Sequence, residues 1–237
     1  MYSYLPWELR HHIHTFCVQG SYDNEVVVRH TTGSKPALLV RRPIGTHSYQ
    51  WIEDPILQKL GPERIGMDAA KEILDTYYST RTFKFVHEEL GLVQPFLEHD
   101  VFGLAIRPAN HLRRLHLQIQ PFKYAQLREL KLKEEEEMKW RRALESLTVL
   151  QVSKTTIDIH VDLTQGFADD EECEELLDEA AAFVFRTIEL SDTLRMSGLN
   201  LALILQGRWD GRDGLKLCSS SVSSLDDCIT KMKVACQ

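Results

Sequence analysis

Three strand-like runs do most to limit what this chain can fold into. They are "HLRRLHLQIQ" (111–120), "TTIDIHVDL" (155–163) and "GLNLALILQG" (198–207). In the first, Leu115, Leu117 and Ile119 alternate with polar residues; in the second, Ile157, Ile159, Val161 and Leu163 do so. Period-two alternation marks a strand with one face buried. A charged helical stretch, about 123–148, separates the first two runs, and its Glu135–Lys139 and Glu137–Arg141 pairs have i,i+4 spacing. A second helix, about 169–196, separates the last two. Strand, helix, strand, helix, strand implies parallel pairing through right-handed crossovers. Parallel strands covered on both faces are apolar throughout; the first two runs alternate, so helices are expected on one face only. A leucine-rich-repeat-like arc is the less favoured form, because the repeat is long and loose.

The expected fold class is therefore α/β or α+β: a two-layer, partly parallel sheet covered by helices on one face. The first half adds "NEVVVRH" (24–30) and "ALLVRR" (37–42), read as a hairpin joined by the turn-rich "TTGSKP". Residues 44–66, broken by Pro55 and Pro62, read as irregular. A helix follows at about 67–79, then a strand through Phe83 and Phe85, then a broken short helix. The division expected is one globular domain over 1–217, with halves at 1–120 and 121–217. A serine-rich linker and a short terminal helix would fill 218–237.

Composition excludes several classes. No apolar run approaches the roughly 20 residues needed to cross a bilayer, and no basic segment followed by an apolar core suggests a signal peptide. An intracellular protein, cytoplasmic or nuclear, with reduced cysteines is expected. Cys17, Cys173, Cys218, Cys228 and Cys236 are scattered and form no CxxC. The net charge of −7 is uneven, +3 over residues 1–133 and −10 over 134–237. That is a poor surface for neutralising phosphates, so no nucleic-acid partner is expected. There is no GxSxG, P-loop, GxGxxG after a strand, or HExxH, and the chain reads as leaning away from an enzyme.

The opening "LPWELRHHIHTFCV" (5–18) is a short amphipathic helix. Pro6 suits a first helical position and Glu8 the positive helix start. Leu5, Leu9, Ile13 and Phe16 share a face, which is expected to pack on the chain's own core, with docking to a partner as the alternative. His11, His12 and His14 lack a matching acidic or cysteine partner, so no metal is expected there and no cofactor elsewhere. The acidic "DDEECEELLDE" reads as a helix start. Arg41, Arg42, Arg107, Arg113 and Arg114 are expected to pair with the acidic second half rather than form an anion site.

Together, Leu5, Pro6, Glu8, Leu9, Arg10 and Ile13, then "AAKEILDTYYSTRTFKF", then "HLRRLHLQI" resemble, in that order, the F-box-like proteins of fungi with their Leu-Pro-x-Glu-Leu-Arg-x-x-Ile opening. The resemblance spans roughly 4–120. It implies a eukaryotic intracellular interaction or adaptor-like module. Leu5, Pro6, Leu9 and Ile13 would be its partner-binding residues and a ubiquitin-ligase linker adaptor its candidate partner.

The sheet offers the rival reading. Opposite the buried Leu115 and Leu117 stand His116 and Gln118, and the matching positions of the next strand are Asp158, His160 and Asp162. Were these strands neighbours, two histidines and two carboxylates would share one open face, equipment for acid–base chemistry on a small molecule. The plainer alternative is a solvated sheet face.

Overall fold

The structure is a computed structural model of the 237-residue chain. It describes residues 5–19, 24–30, 36–45, 48–150, 154–164, 170–206, 215–217 and 222–236, with backbone alone at 170–175, 215–217, 235 and 236. Residues 31–35 of the loop expected between the first two strands and 219–221 of the serine-rich stretch lie outside these residues. In chain order come α1 (Trp7–Gln19), β1 (Glu25–Arg29), β2 (Ala37–Pro43), β3 (Tyr49–Glu53), α2 (Pro55–Lys59), α3 (Pro62–Ile65), α4 (Met67–Thr80) and β4 (Thr82–Phe85). A 3-10 helix (His87–Leu92) leads into α5 (Val93–Glu98), α6 (Pro108–His111), β5 (Arg114–Ile119), α7 (Pro121–Ala125) and α8 (Leu130–Ser146). A 3-10 turn (Leu147–Val149) precedes β6 (Thr156–Asp162), α9 (Asp170–Met196), β7 (Asn200–Gln206), β8 (Leu215–Leu217) and α10 (Leu225–Cys236).

The strands form one sheet in the order β3-β2-β1-β4-β5-β6-β7-β8. Its centre, β1-β4-β5-β6-β7, is parallel; β2 and β3 on one edge and β8 on the other are antiparallel. Each parallel step moves the same way across the sheet. Right-handed crossovers then put the connections on one face. Burial agrees: Leu115, Leu117, Ile119, Ile157, Ile159 and Val161 are fully buried, while His116, Gln118, Asp158 and His160 between them are only partly covered. The fold class is thus mixed α/β, mostly parallel, with an opening helix followed by a hairpin. β1 carries an apolar run, Val26–Val28, in which every residue is buried.

The helical layer is joined by specific contacts. Tyr77, Tyr78, Phe83, Phe85 and Phe96 form an aromatic cluster between α4, β4 and α5, with ring centroids 5.1–6.4 Å apart. Such pairs contribute about 0.5–1.5 kcal/mol each beyond area burial. Tyr124 of α7 stacks on Phe183 of α9 at 4.5 Å. The buried Trp140 of α8 donates its indole N–H to Thr187 of α9 at 3.1 Å, which satisfies the one polar atom of a large apolar side chain. Gly198 (φ 97°) ends α9, its N–H bonded to the Arg195 carbonyl; an L side chain there would strain the left-handed turn.

Three expectations are corrected. Residues 49–53 are not irregular but form β3, an edge strand with no fully buried residue. Lys139 pairs with Glu136 at 2.6 Å rather than with Glu135, which pairs with Lys131, whereas Glu137–Arg141 forms as expected. Arg41 pairs within the first half, with Glu25 at 3.9 Å.

Candidate functional site

Two surfaces stand out, on different parts of the molecule. The first is the half-open face of the central strands. Parallel pairing places His116 directly opposite Asp158, and Gln118 opposite His160. Val27 and Lys84 continue the His116 row toward the first edge. His116 sits between two carboxylates: Nε2 is 3.4 Å from an Asp158 oxygen and Nδ1 is 3.7 Å from a Glu25 oxygen. Lys84 Nζ stands 3.8 Å from the other Glu25 oxygen. His160 lies beside His116, ring centroids 5.0 Å apart, and its Nδ1 is 2.7 Å from the side-chain amide of Gln206. One donor atom from each of His116, Asp158 and His160 lies within 4.8 Å of the others.

Electrostatics separates the two imidazoles. Burial alone would depress His116, but the Asp158 and Glu25 carboxylates outweigh it and push its pKa up to about 9. Burial, reinforced by the neighbouring His116 charge, lowers that of His160. The His116 imidazole beside it holds Glu25 below the usual carboxylate range against the opposing effect of burial.

Asp162 does not join this group. Its carboxylate accepts from Gln118 (2.8 Å), Gln120 (3.2 Å) and the hydroxyl (2.5 Å) and N–H (3.0 Å) of Thr164. It is 8% exposed and closes the end of β6. Of the four acid–base candidates, therefore, His116, Asp158 and His160 come together and Asp162 serves a separate amide and hydroxyl cluster. Glu25 and Gln206 belong to the site although sequence reasoning did not include them. Glu25 opens "EVVVR", and nothing local shows that β4 brings that strand toward β5. Gln206 ends β7 on the face that alternation assigns to His160.

The second surface is the outer side of α1. The helix turns Arg10, His14 and Val18 inward: Arg10 pairs with Glu72 of α4 at 3.4 Å, His14 is buried 3.9 Å from the same carboxylate, and Val18 is fully buried. Burial lowers the His14 pKa. The buried Arg81 guanidinium donates to the Val18 carbonyl at the end of α1. The apolar stripe lies opposite. Leu5 is 41%, Leu9 52%, Ile13 50% and Phe16 80% exposed, with Pro6 exposed beside them. The expectation that this stripe packs on the chain's own core is overturned. An apolar face needs a partner surface, and α4 offers Glu72, which favours the basic side of the helix. Trp7 packs edge-on against His11 at 4.6 Å rather than into the core.

No helix among the described residues is long and apolar enough to cross a membrane. No protein-family model matches the chain, and no curated protein or solved structure matches it either.

Proposed function

We propose that this chain is a protein-interaction module that docks a partner through the outward face of α1. The observation carrying this reading is the exposure of Leu5, Leu9, Ile13 and Phe16 on one side of a helix whose opposite side is tied down by Glu72 and Arg81. An apolar helical stripe held out to solvent by a polar inner face is what helix-in-groove recognition uses. The resemblance to fungal F-box-like proteins supplies the partner class, a linker adaptor of a ubiquitin ligase. On this reading the protein works inside the cell, in cytoplasm or nucleus, without nucleic acid or membrane.

The test is direct binding of the full chain to a purified linker adaptor, measured by calorimetry. Wild type should bind with micromolar or tighter affinity. The Leu9→Asp/Ile13→Asp variant should lose about 100-fold or more, since apolar anchors in such interfaces contribute about 2 kcal/mol or more each. Failure of wild type to bind, or equal binding by the variant, would remove the adaptor reading.

A second reading is favoured by a different observation. His116 and His160 touch on one face with opposite pKa displacements, the requirement for an acid–base pair acting on a small molecule. It predicts turnover of some metabolite that is lost in both His116→Gln and His160→Gln. A metabolite screen with no turnover by wild type would oppose it.

A further inference from the structure

We propose that His116, Asp158 and His160 bind one divalent transition-metal ion of the zinc class on the half-open face of the sheet. The proposal is independent of docking through α1. It uses the residues of the acid–base reading without resting on it, because an ion can be held here whether or not anything is turned over.

The ligand set comes first. The donor atoms of the three side chains already lie within 4.8 Å of one another. Asp158 and His160 are two residues apart on β6 and so share a face; His116 reaches the same point from β5, directly opposite Asp158. Ligands on paired strands are held more rigidly than ligands on loops. Zinc binds imidazole nitrogen and carboxylate oxygen at about 2.0–2.2 Å. The three side chains must therefore close in by an ångström or so, which partly exposed rings can do by small torsional changes. Two imidazoles and a carboxylate form a set known for zinc sites that keep a fourth position for water. Magnesium and calcium favour all-oxygen shells, which two imidazoles do not supply.

The outer partners are the second argument. A metal-bound imidazole usually donates its other ring N–H to a carboxylate, carbonyl or water, which fixes its tautomer. Here Glu25 lies 3.7 Å from Nδ1 of His116, leaving Nε2 toward Asp158. Gln206 occupies Nδ1 of His160 at 2.7 Å, leaving Nε2 to offer. That Nε2 is buried and has no hydrogen-bond partner among the described residues. A buried polar atom without a partner costs about 1–3 kcal/mol, and a metal ion would satisfy it. Ligation needs the proton on Nδ1, donated to the Gln206 side-chain oxygen; a half-turn of the amide provides this, its two ends being nearly the same shape.

Charge permits the ion, which takes the place of the proton that His116 carries at neutral pH. The nearby cation Lys84 stands 3.8 Å from a Glu25 oxygen and Arg41 3.9 Å from the same oxygen. Both are thus engaged on the side of His116 away from Asp158 and His160.

The experiment uses the full chain, stripped with a chelator and titrated with zinc by calorimetry and with cobalt by visible absorption. One equivalent should bind, with cobalt d–d bands of a four- or five-coordinate nitrogen–oxygen site. Asp158→Asn and His160→Gln should each weaken binding about 100-fold, and Gln206→Ala or Glu25→Gln about 10–100-fold, the usual effect of an outer partner. Long-range proton–nitrogen NMR of wild type should show Nε2 of both His116 and His160 changing on zinc addition, a readout that needs no variant to fold. Absence of stoichiometric binding, or equal affinity in Asp158→Asn and His160→Gln, or a six-coordinate all-oxygen cobalt spectrum, would overturn the assignment. None of these outcomes bears on adaptor binding by α1, and a metabolite turned over by the metal-free chain would support acid–base chemistry without restoring the metal.

Discussion

The imidazoles of His116 and His160 stand 5.0 Å apart on neighbouring strands, and their protonation is driven in opposite directions. At neutral pH the first carries a proton and the second does not. His116, raised above its ordinary 6.5, contributes stability that is fully present below pH 6.5 and is lost as pH rises through about 9. His160, lowered, contributes stability that is present above 6.5 and is lost as pH falls below it. In chelator-treated protein, proton NMR should show one ring proton titrating near pH 9 and assigned to His116, and His160 titrating below 6.5. Two histidines titrating together near 6.5 would mean that the Asp158 and Glu25 contacts do not form in solution.

The exposed stripe of α1 makes a stability prediction opposite to the usual one for leucine. Leu9→Ala and Ile13→Ala remove side chains that are half in water already, so each should change unfolding free energy by no more than about 0.5 kcal/mol. Val18→Ala, from the inner face, should cost about 2 kcal/mol, the loss of two buried methyl-sized groups and the cavity left behind. Urea denaturation of the three variants checks this. A Leu9→Ala cost of several kcal/mol would show that the stripe is covered after all.

How much of this could be read from the chain itself follows from range. The alternation of Leu115, Leu117 and Ile119 and of Ile157, Ile159 and Val161 is local, and so identifies two strands and their buried face; it puts His116 and Asp158 on one face if the strands are neighbours, but not the register that sets them opposite each other. The hairpin of β1 and β2 is legible from two apolar runs on either side of the turn-rich "TTGSKP". The place of β1 is not, because Glu25 reaches His116 only through β4, and β4 lies more than fifty residues downstream. The edge strand β3 is not legible because its residues are exposed or half-exposed on both sides and their burial shows no alternation. For α1 the spacing shows the apolar stripe but not its exposure, because spacing tells which residues share a face and not which face is covered. The choice was made by Glu72 and Arg81, two charged residues far along the chain that hold the polar side.

Arg81 is buried to 1% exposure, its guanidinium donating to the Val18 carbonyl and lying 5.9 Å over the Tyr77 ring. It therefore fastens the C-terminal end of α1 to the junction of α4 and β4. Arg81→Met keeps much of the apolar stem and deletes the donors. A hydrogen bond from a charged donor contributes about 1.5–3 kcal/mol. Amide exchange should accelerate in α1 while β4, β5 and β6 stay protected. Uniform acceleration through the sheet would instead make Arg81 part of the global core, and α1 would not be a separately released element.

His87 tests the acid side. It is 5% exposed, its Nδ1 accepts the Gln120 N–H at 3.3 Å, and its Nε2 lies 3.2 Å from a Glu136 oxygen. An acceptor at Nδ1 puts the proton of the neutral ring on Nε2, facing Glu136. Burial lowers the pKa below 6.5, and the opposing pull of Glu136 does not reverse this. The unfolded chain takes up a proton near 6.5 and the folded chain resists it, so stability falls as pH drops below about 6.5. His87→Gln cannot titrate and retains an acceptor for the Gln120 N–H. It should be less stable than wild type at pH 7.5, yet lose less stability than wild type does between pH 7.5 and 5.5, in urea unfolding at both values. An identical loss in the two proteins would mean that His87 takes up its proton equally in the folded and unfolded chains, and the acid sensitivity would then belong to other groups such as His14 and His160.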